Sequence, residues 1–378
     1  MKIVIAPDSF KGSLTAVEVA DAIAVGVERA CPNAEIVSIP LADGGEGTVE
    51  ALVRATGGRV LRHPAADPLG RTIESFFGVL GDGATTVVEM AAASGLPLVP
   101  DDLRDPMKTT SYGTGELIRA ALNTGCRKLI LGIGGSATND GGVGAIQALG
   151  GSFRDAAGSE VGFGGGELSR IRAIDLSGLD PRLKDAEITV ACDVENPLTG
   201  DNGASSVFGP QKGATPEMIA LLDAGLKNLA AVIRRDLGRD VENLPGAGAA
   251  GGLGAAAVAF LNATLKPGIE IVLEATRFAE RLKGADLVIT GEGRIDAQTL
   301  QGKTVCGVLR LAASEDVPVL ALGGGVEADG YKLLDRGAIA VLPIVNRPMS
   351  LQEALEDAPR LLAIAVEQGM RLFCAGRA

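Results

Sequence analysis

Tryptophan is absent from the 378 residues, histidine occurs once, and aromatic residues make up only 3% of the chain. The core must therefore be filled by Ala, Val, Leu and Ile, which suits helices packed closely on parallel strands better than an all-β sandwich. The five cysteines, Cys31, Cys126, Cys192, Cys306 and Cys374, show no CxxC spacing. One histidine cannot complete a Cys/His zinc site with them, so they read as buried thiols of a reducing compartment. Basic charge is short as well: 35 Lys and Arg against 47 Asp and Glu give a net charge of −12. That balance opposes nucleic acid or an anionic membrane surface as partner, since both need clustered cations. Long hydrophobic runs are also missing. The opening "MKIVIAPDSF" is too short and too weakly charged for a signal peptide, and "GAGAAGGLGAAAVAFLNATL" (246–265) is mostly Gly and Ala with Pro267 close behind. The expectation is a cytoplasmic protein without a membrane partner.

What is present is a folded composition, 46% hydrophobic and 22% charged, in a chain too long for one ordinary core. Short aliphatic runs, "KIVIAP", "AEIVSIP", "RKLILGIG", "AEITVACD", "ADLVITGEG", "VPVLALGGG" and "AIAVLPIV", alternate with helical patterns. This is the βα alternation of a mostly parallel sheet. The helix in "SLTAVEVADAIAVGVERA" is expected to start at Ser13 or Thr15 with Glu18 as capping partner. Around "LGDGAT" two β-rich runs predict an antiparallel hairpin near residues 73–90. From about 196 to 268 strands give way to loops and helices. The expected class is α/β with two α/β domains. Residues 1–70 plus 285–378 form a mostly parallel sheet domain from both chain ends, and 71–284 form an inserted α/β domain.

Each aliphatic run ends in a polar, glycine-rich loop: "PDSFKG" (7–12), "LADGGEG" (41–47), "GIGGSATNDGG" (132–142), "CDVENP" (192–197), "GEGRID" (291–296) and "GGG" (323–325). Ligands of open parallel sheets lie outside the strand carboxyl ends. Asp and Gly also make ordinary βα turns, which accounts for any one loop but poorly for six together. Asp8, Asp43, Glu46, Asp140, Asp193, Glu195, Glu292 and Asp296 are more acids than turns require. Carboxylates beside glycine loops suit a magnesium nucleotide, because Mg²⁺ takes oxygen ligands and main-chain N–H groups cradle phosphates. Lys11, Arg294 and Lys303 supply positive charge, and a carboxylate can accept the proton of an attacking hydroxyl.

Competing readings are weaker. "GIGGSA" fits Gly-x-Gly-x-x-Gly/Ala, but "TNDGG" stands where a Rossmann helix should begin, and the later "GGSFRDAAGSE" offers Asp155 without a clear second strand. That reading would make the protein an NAD(P) oxidoreductase. "QGKT" (301–304) ends like a Walker motif, yet Ala297 replaces its first glycine. A noncatalytic sensor would need an output element, and none is evident. His63 beside Pro64 reads as a loop residue at the surface, and Cys192 lacks a histidine to activate it. "TTSYGTGELI" (109–118) is an anion site or an ordinary cap; Lys212 in "FGPQKGA" (208–214) is solvated or faces the ligand.

Together, "APDSFKGSLTAVEVADAI", "LADGGEGTVEAL", "EMAAASGL", "TTSYGTGELI", "GIGGSATNDGG", "CDVENPL", "FGPQKGA" and "TGEGRIDAQTLQGK" closely resemble the bacterial glycerate kinase family, in order and over nearly the whole chain. The resemblance implies ATP- and Mg²⁺-dependent phosphorylation of D-glycerate, giving 2-phosphoglycerate, with 3-phosphoglycerate as the alternative product. It also implies two α/β domains, one flavodoxin-like and one resembling a restriction-enzyme core, with the active site between them. D-Glycerate and ATP are the expected partners, and assembly into a homo-oligomer is left open. Asp8, Ser9 and Lys11, with Asp193 and Asn196, are expected at the reacting centre, Asp193 as a partly desolvated base. Gly134, Gly135, Ser136 and Asn139, with Glu292, Arg294 and Lys303, are expected to hold the nucleotide, and Asp140 and Asp296 to direct Mg²⁺.

Overall fold

The aliphatic runs become strands in the computed structural model of the chain, which describes residues 1–376 with the side chain of Gln301 excepted. In chain order the strands are β1 (Lys2–Ile5), β2 (Glu35–Ser38), β3 (Arg59–Ala66), β4 (Thr72–Val79), β5 (Thr85–Glu89), β6 (Lys128–Gly132), β7 (Ser152–Arg154), β8 (Ala173–Asp175), β9 (Glu187–Ala191), β10 (Thr264–Lys266), β11 (Leu287–Ile295), β12 (Val319–Val326) and β13 (Ala338–Pro343). They fall into two compact units. One comprises Met1–Asp43, Glu50–Gly57 and Ile269 onward; the other comprises Gly44–Val49 and Gly58–Gly268.

The first unit carries a five-stranded sheet in the order β13-β12-β11-β1-β2, every pairing parallel. Counted along this unit's own chain the order is 2-1-3-4-5, the flavodoxin-like order, which reverses direction at β1 and β11. Ile3, Val4, Ile5, Leu287, Val288 and Ile289 are all buried, as expected for central parallel strands covered on both faces. The first helix, Ala16–Ala30, starts on a capping box: Glu18 N–H donates to Thr15 Oγ1 at 3.2 Å and Thr15 N–H to Glu18 Oε2 at 2.8 Å. It packs on the helix Ala358–Ala375 so tightly that a Cβ at Gly26 would lie 2.5 Å from the Ala363 carbonyl oxygen. Cys31 and Cys374, one near the end of each helix, bring their sulfurs to 2.8 Å.

The second unit carries a six-stranded sheet in the order β10-β9-β6-β5-β4-β3, with β5, β6, β9 and β10 parallel and β3 and β4 antiparallel at one end. The hairpin near 73–90 is β4–β5, closed where Asp82 accepts the N–H groups of Ala84 and Thr85 at 2.9 Å. Along the parallel strands β5, β6, β9, β10 the order never reverses, so this sheet has no switch point of its own. Its core is built from small aliphatics, including the helix Leu253–Leu261, whose alanines are buried on nearly every side.

Two details depart from expectation. Residues 44–49 and 58–70 fall with the second unit, the latter because β3 pairs along its length with β4, and residues 269–284 fall with the first. His63 therefore lies in an edge strand opposite Ser75, not in a loop. Only Cys126 is a buried thiol; the other four cysteines are half-buried. Among the described residues no helix is long and apolar enough to cross a membrane.

Candidate active site

Three of the six strand-end loops come together where β1 and β11 end. Asp8 N–H donates to Gly291 O at 2.8 Å, locking "PDSFKG" to "GEGRID". On the other side of β11, a Cβ at Gly324 would lie 2.4 Å from the Gly293 carbonyl oxygen, so the "GGG" loop can approach only as glycine. Asp8 is held from two directions: Ser9 N–H donates to Oδ1 at 2.6 Å, and Thr304 Oγ1 donates to Oδ2 at 2.5 Å. Thr304 opens the helix Thr304–Ser314, whose N-cap residue Lys303 makes no side-chain cap. A helix N-terminus and two donors should favour the carboxylate. Burial outweighs them, and with the Asp43 charge it raises the Asp8 pKa to about 6.

Glu292 stands beside it with its pKa raised to about 7, chiefly by burial, against the lowering effects of a Thr299 hydrogen bond and the Lys303 charge. Its Oε1 is buried without a hydrogen-bond partner. The cations around this pair differ in freedom. Lys11 is largely exposed, its Nζ 4.0 Å from Asp43 Oδ2. Lys303 reaches Gln298 Oε1 only at 3.5 Å. Arg294 is exposed and already paired with Glu327, with Asp296 Oδ2 at 3.5 Å from its Nε. Asp296 accepts Gln298 N–H at 2.7 Å and Thr299 N–H at 3.4 Å, the pattern of a turn brace.

The second unit gathers the remaining loops. "LADGGEG" contributes Gly44–Val49, stacked on the ends of β6 and β9: Gly134 N–H donates to Gly44 O at 3.3 Å, and a Cβ at Gly44 would meet that of Ala191 at 2.4 Å. Buried Glu89, at the end of β5, accepts the N–H groups of Gly47 and Val49. Gly135 stays at the surface, whereas Ser136 through Asp140 are buried. Asp140 is saturated. Its Oδ2 accepts Ser111 N–H and Ser111 Oγ–H at 2.8 Å each and Gly144 N–H at 3.3 Å, and its Oδ1 accepts Gly142 N–H at 3.1 Å. Burial still raises its pKa. Asn139 Nδ2 donates to Ser205 Oγ at 3.0 Å.

Beneath this loop lies Lys212, fully buried, donating to Ser136 Oγ at 2.8 Å and to Thr138 O at 2.6 Å. Burial lowers its pKa to about 7, and the Asp140 charge holds it from falling further. At the end of β9, Asp193 is exposed and accepts Gly268 N–H at 2.8 Å, so the partial desolvation expected of a base is not found there. Asn196 Nδ2 donates to Asn202 O at 2.8 Å and braces its own loop. Ser111, in the loop that the sequence leaves as cap or anion site, is committed to Asp140.

The expected residues thus sort into two sets: Asp8, Ser9, Lys11, Glu292, Arg294, Asp296 and Lys303 in the first unit, and Gly134, Gly135, Ser136, Asn139, Asp140, Asp193 and Asn196 in the second. Thr304 and Glu89 went unnoticed in the sequence, and Lys212 undecided. The Thr in "GKT" at a helix start was the one signal for the first. Among the described residues no group of three or more His, Cys, Asp or Glu side chains has metal-holding geometry.

The sequence matches the glycerate kinase family over residues 3–374. The chain belongs to the glycerate kinase family. It is 54% identical to the glycerate kinase of Bacillus subtilis strain 168, over 95% of this chain and 94% of that one. To the glycerate 2-kinase of Escherichia coli K12 it is 52% identical, over 98% and 99%. A crystal structure from Salmonella typhimurium LT2, provisionally named glycerate kinase 2, superposes with a TM-score of 0.91 at 51% identity, covering 100% of this chain and 99% of the other. Glycerate kinases use ATP as phosphoryl donor and glycerate as acceptor, so the cradle expected at strand ends is a demand of the family's reaction.

Proposed function

We propose that the protein transfers the γ-phosphoryl group of ATP to the 2-hydroxyl of D-glycerate, giving 2-phosphoglycerate and ADP in the cytoplasm. The observation that carries the chemistry is the raised carboxylate pair, Asp8 and Glu292, at the point where the first sheet reverses its order. The glycerate 2-kinase likeness supports the 2-hydroxyl as acceptor.

In the step, the substrate oxygen bonds to the γ-phosphorus while the β–γ bridging bond breaks, and the hydroxyl proton goes to a base. Asp8 fits that base better than Asp193. It is partly desolvated, its oxygens are fixed by Ser9 and Thr304, and its pKa near 6 leaves it ionised at neutral pH. Lys11, exposed on the same loop, is suited to the glycerate carboxylate. Within the first unit, the N-terminus of Thr304–Ser314 and Lys303 are suited to phosphate oxygens; taken by itself, the second unit offers a glycine loop of the same kind at Gly134, Gly135 and Ser136. Mg²⁺ fits one place in particular: Glu292 Oε1 is a hard oxygen donor left without a partner. When bound, the ion would neutralise charge on the phosphate chain. Of the ligands expected for it, Asp140 is saturated as a loop brace, while Asp296 braces its turn through Oδ1 and turns Oδ2 to Arg294.

The test is incubation with ATP, Mg²⁺ and D-glycerate, with the product identified by ³¹P NMR. A 2-phosphoglycerate resonance is expected. 3-Phosphoglycerate alone would move the acceptor to the other hydroxyl, and no phosphoglycerate would overturn the reading.

A further inference from the structure

Lys212 has no part in the mechanism above, and its placement is costly. Taking an ammonium fully out of water is unfavourable by several kcal/mol unless partners replace its hydration. A fold that merely needed the 134–140 loop held could use a neutral donor at that point. Here the ammonium spends one N–H on the Thr138 carbonyl at 2.6 Å and another on Ser136 Oγ at 2.8 Å. The first bond turns that carbonyl inward, away from any anion outside the loop. The second has a directional consequence: a hydroxyl oxygen that accepts from an ammonium keeps its own proton as donor, and must aim it elsewhere. Ser136 is 7% exposed and adjoins surface-exposed Gly135 three residues past β6, which puts it at the border between buried Lys212 and the surface. Nearby, Thr138 Oγ1 and Asn139 Oδ1 are buried without hydrogen-bond partners. The layer is therefore not optimised for stability alone.

We infer that Lys212 is a positioning residue for nucleotide binding: from beneath the loop it fixes Ser136 as an outward donor and lends positive potential to the phosphate chain seated on Gly134–Ser136. It touches loop atoms, not substrate. The inference rests on the proposed kinase reading, which calls for a phosphate-binding loop. Asp140 is the one ionisable side chain whose charge acts on Lys212, and it faces its own four donors. Asp140 offsets part of the Lys212 charge, and the remainder acts at the loop together with the oriented Ser136 hydroxyl.

The experiment uses the full chain with Lys212→Met, Lys212→Arg and Ser136→Ala. Binding of a nonhydrolysable ATP analogue is measured by calorimetry beside KM for ATP and for glycerate. Lys212→Met is expected to weaken the analogue about thirtyfold, as for loss of a charge-assisted contact. KM for ATP should follow, while KM for glycerate stays within about twofold, a split that general loosening of the fold would not produce. Lys212→Arg should recover part of the loss, and Ser136→Ala, which keeps the charge but removes the oriented hydroxyl, should weaken the analogue about fivefold. Folded Lys212→Met binding the analogue within about twofold of the parent overturns the inference. If Lys212→Met does not fold, Ser136→Ala decides, and unchanged analogue binding overturns it equally. Should the parent bind the analogue yet make no phosphoglycerate, the kinase reading fails while the analogue arms still judge Lys212.

Discussion

Asp8 and Asp140 occupy equivalent stations, each in a glycine-rich loop just past the carboxyl end of a parallel strand, and their surroundings could hardly differ more. Asp140 is closed off by four donors and has no face left for a ligand. Asp8 has two short bonds, a raised pKa near 6 and a neighbouring carboxylate with an orphaned oxygen. The two sheets differ in topology as well. In the first unit the strand order reverses at β1 and β11, the kind of switch point at which open parallel sheets leave room for a ligand. In the second unit the parallel strands follow one another without reversal, and around Asp140 the loop turns its polar groups onto its own neighbours, while Gly135 stays at the surface. Station at a strand end alone thus does not decide whether an acid is available; its local donors do.

The sharpest way to break that contrast is to remove the acid itself. Asp8→Asn is expected to lower kcat about a thousandfold, the loss of a general base, whereas Asp193→Asn, an exposed brace, should stay within about threefold. Steady-state kinetics on both variants would show it, and equal losses would return Asp193 to the centre. Next, Asp140→Ala should act on stability: it strands four donors and leaves buried Lys212 without its counter-charge, costing about 3 kcal/mol. Urea unfolding measures this, and a variant as stable as the parent would remove the bracing role. The smallest effect has the opposite sign. Glu292 titrates near 7 in the folded protein, above its ordinary value of 4.5. Its ionisation thus opposes folding fully above pH 7 and not at all well below 4.5. Glu292→Gln should therefore raise the melting temperature at pH 8 by a few degrees, on the order of 1 kcal/mol, in metal-free buffer, with the gain vanishing as pH falls toward 4.5. A gain that grows on acidification would mean that burial does not set the Glu292 pKa.

Much of this fold is legible in the residues because the signals are local. Central parallel strands are aliphatic throughout, Thr15 and Glu18 are spaced for a capping box, and Asp82 with Gly83 turns a hairpin. β3 escaped notice because an edge strand is blunted by charge and proline, and "RVLRHPAA" is written that way; the unit boundary near residue 70 was misplaced with it. The site was half legible. Position at a strand end identifies Asp8 and Asp140 alike, but which one is filled depends on Ser111 and Gly144 arriving from elsewhere in the chain. Lys212 is hidden for the same reason: a lysine in a turn-rich loop is ordinarily solvated, and only long-range packing drives it beneath the loop that follows β6.

The interrupted first unit has a price in time. β1 is among the first segments to leave the ribosome, yet its inner partner is β11, and Lys2 and Asp286, which bond across that seam, lie 284 residues apart. At translation rates of about 5–20 residues per second the seam cannot close for roughly 15–60 s. Throughout that interval Ile3, Val4 and Ile5 have only β2 for company, while Gly58–Gly268, most of the second unit, has already been made. The nascent chain thus carries an unfinished sheet edge for most of its synthesis, and an unpaired apolar edge of that kind is where aggregation competes with folding.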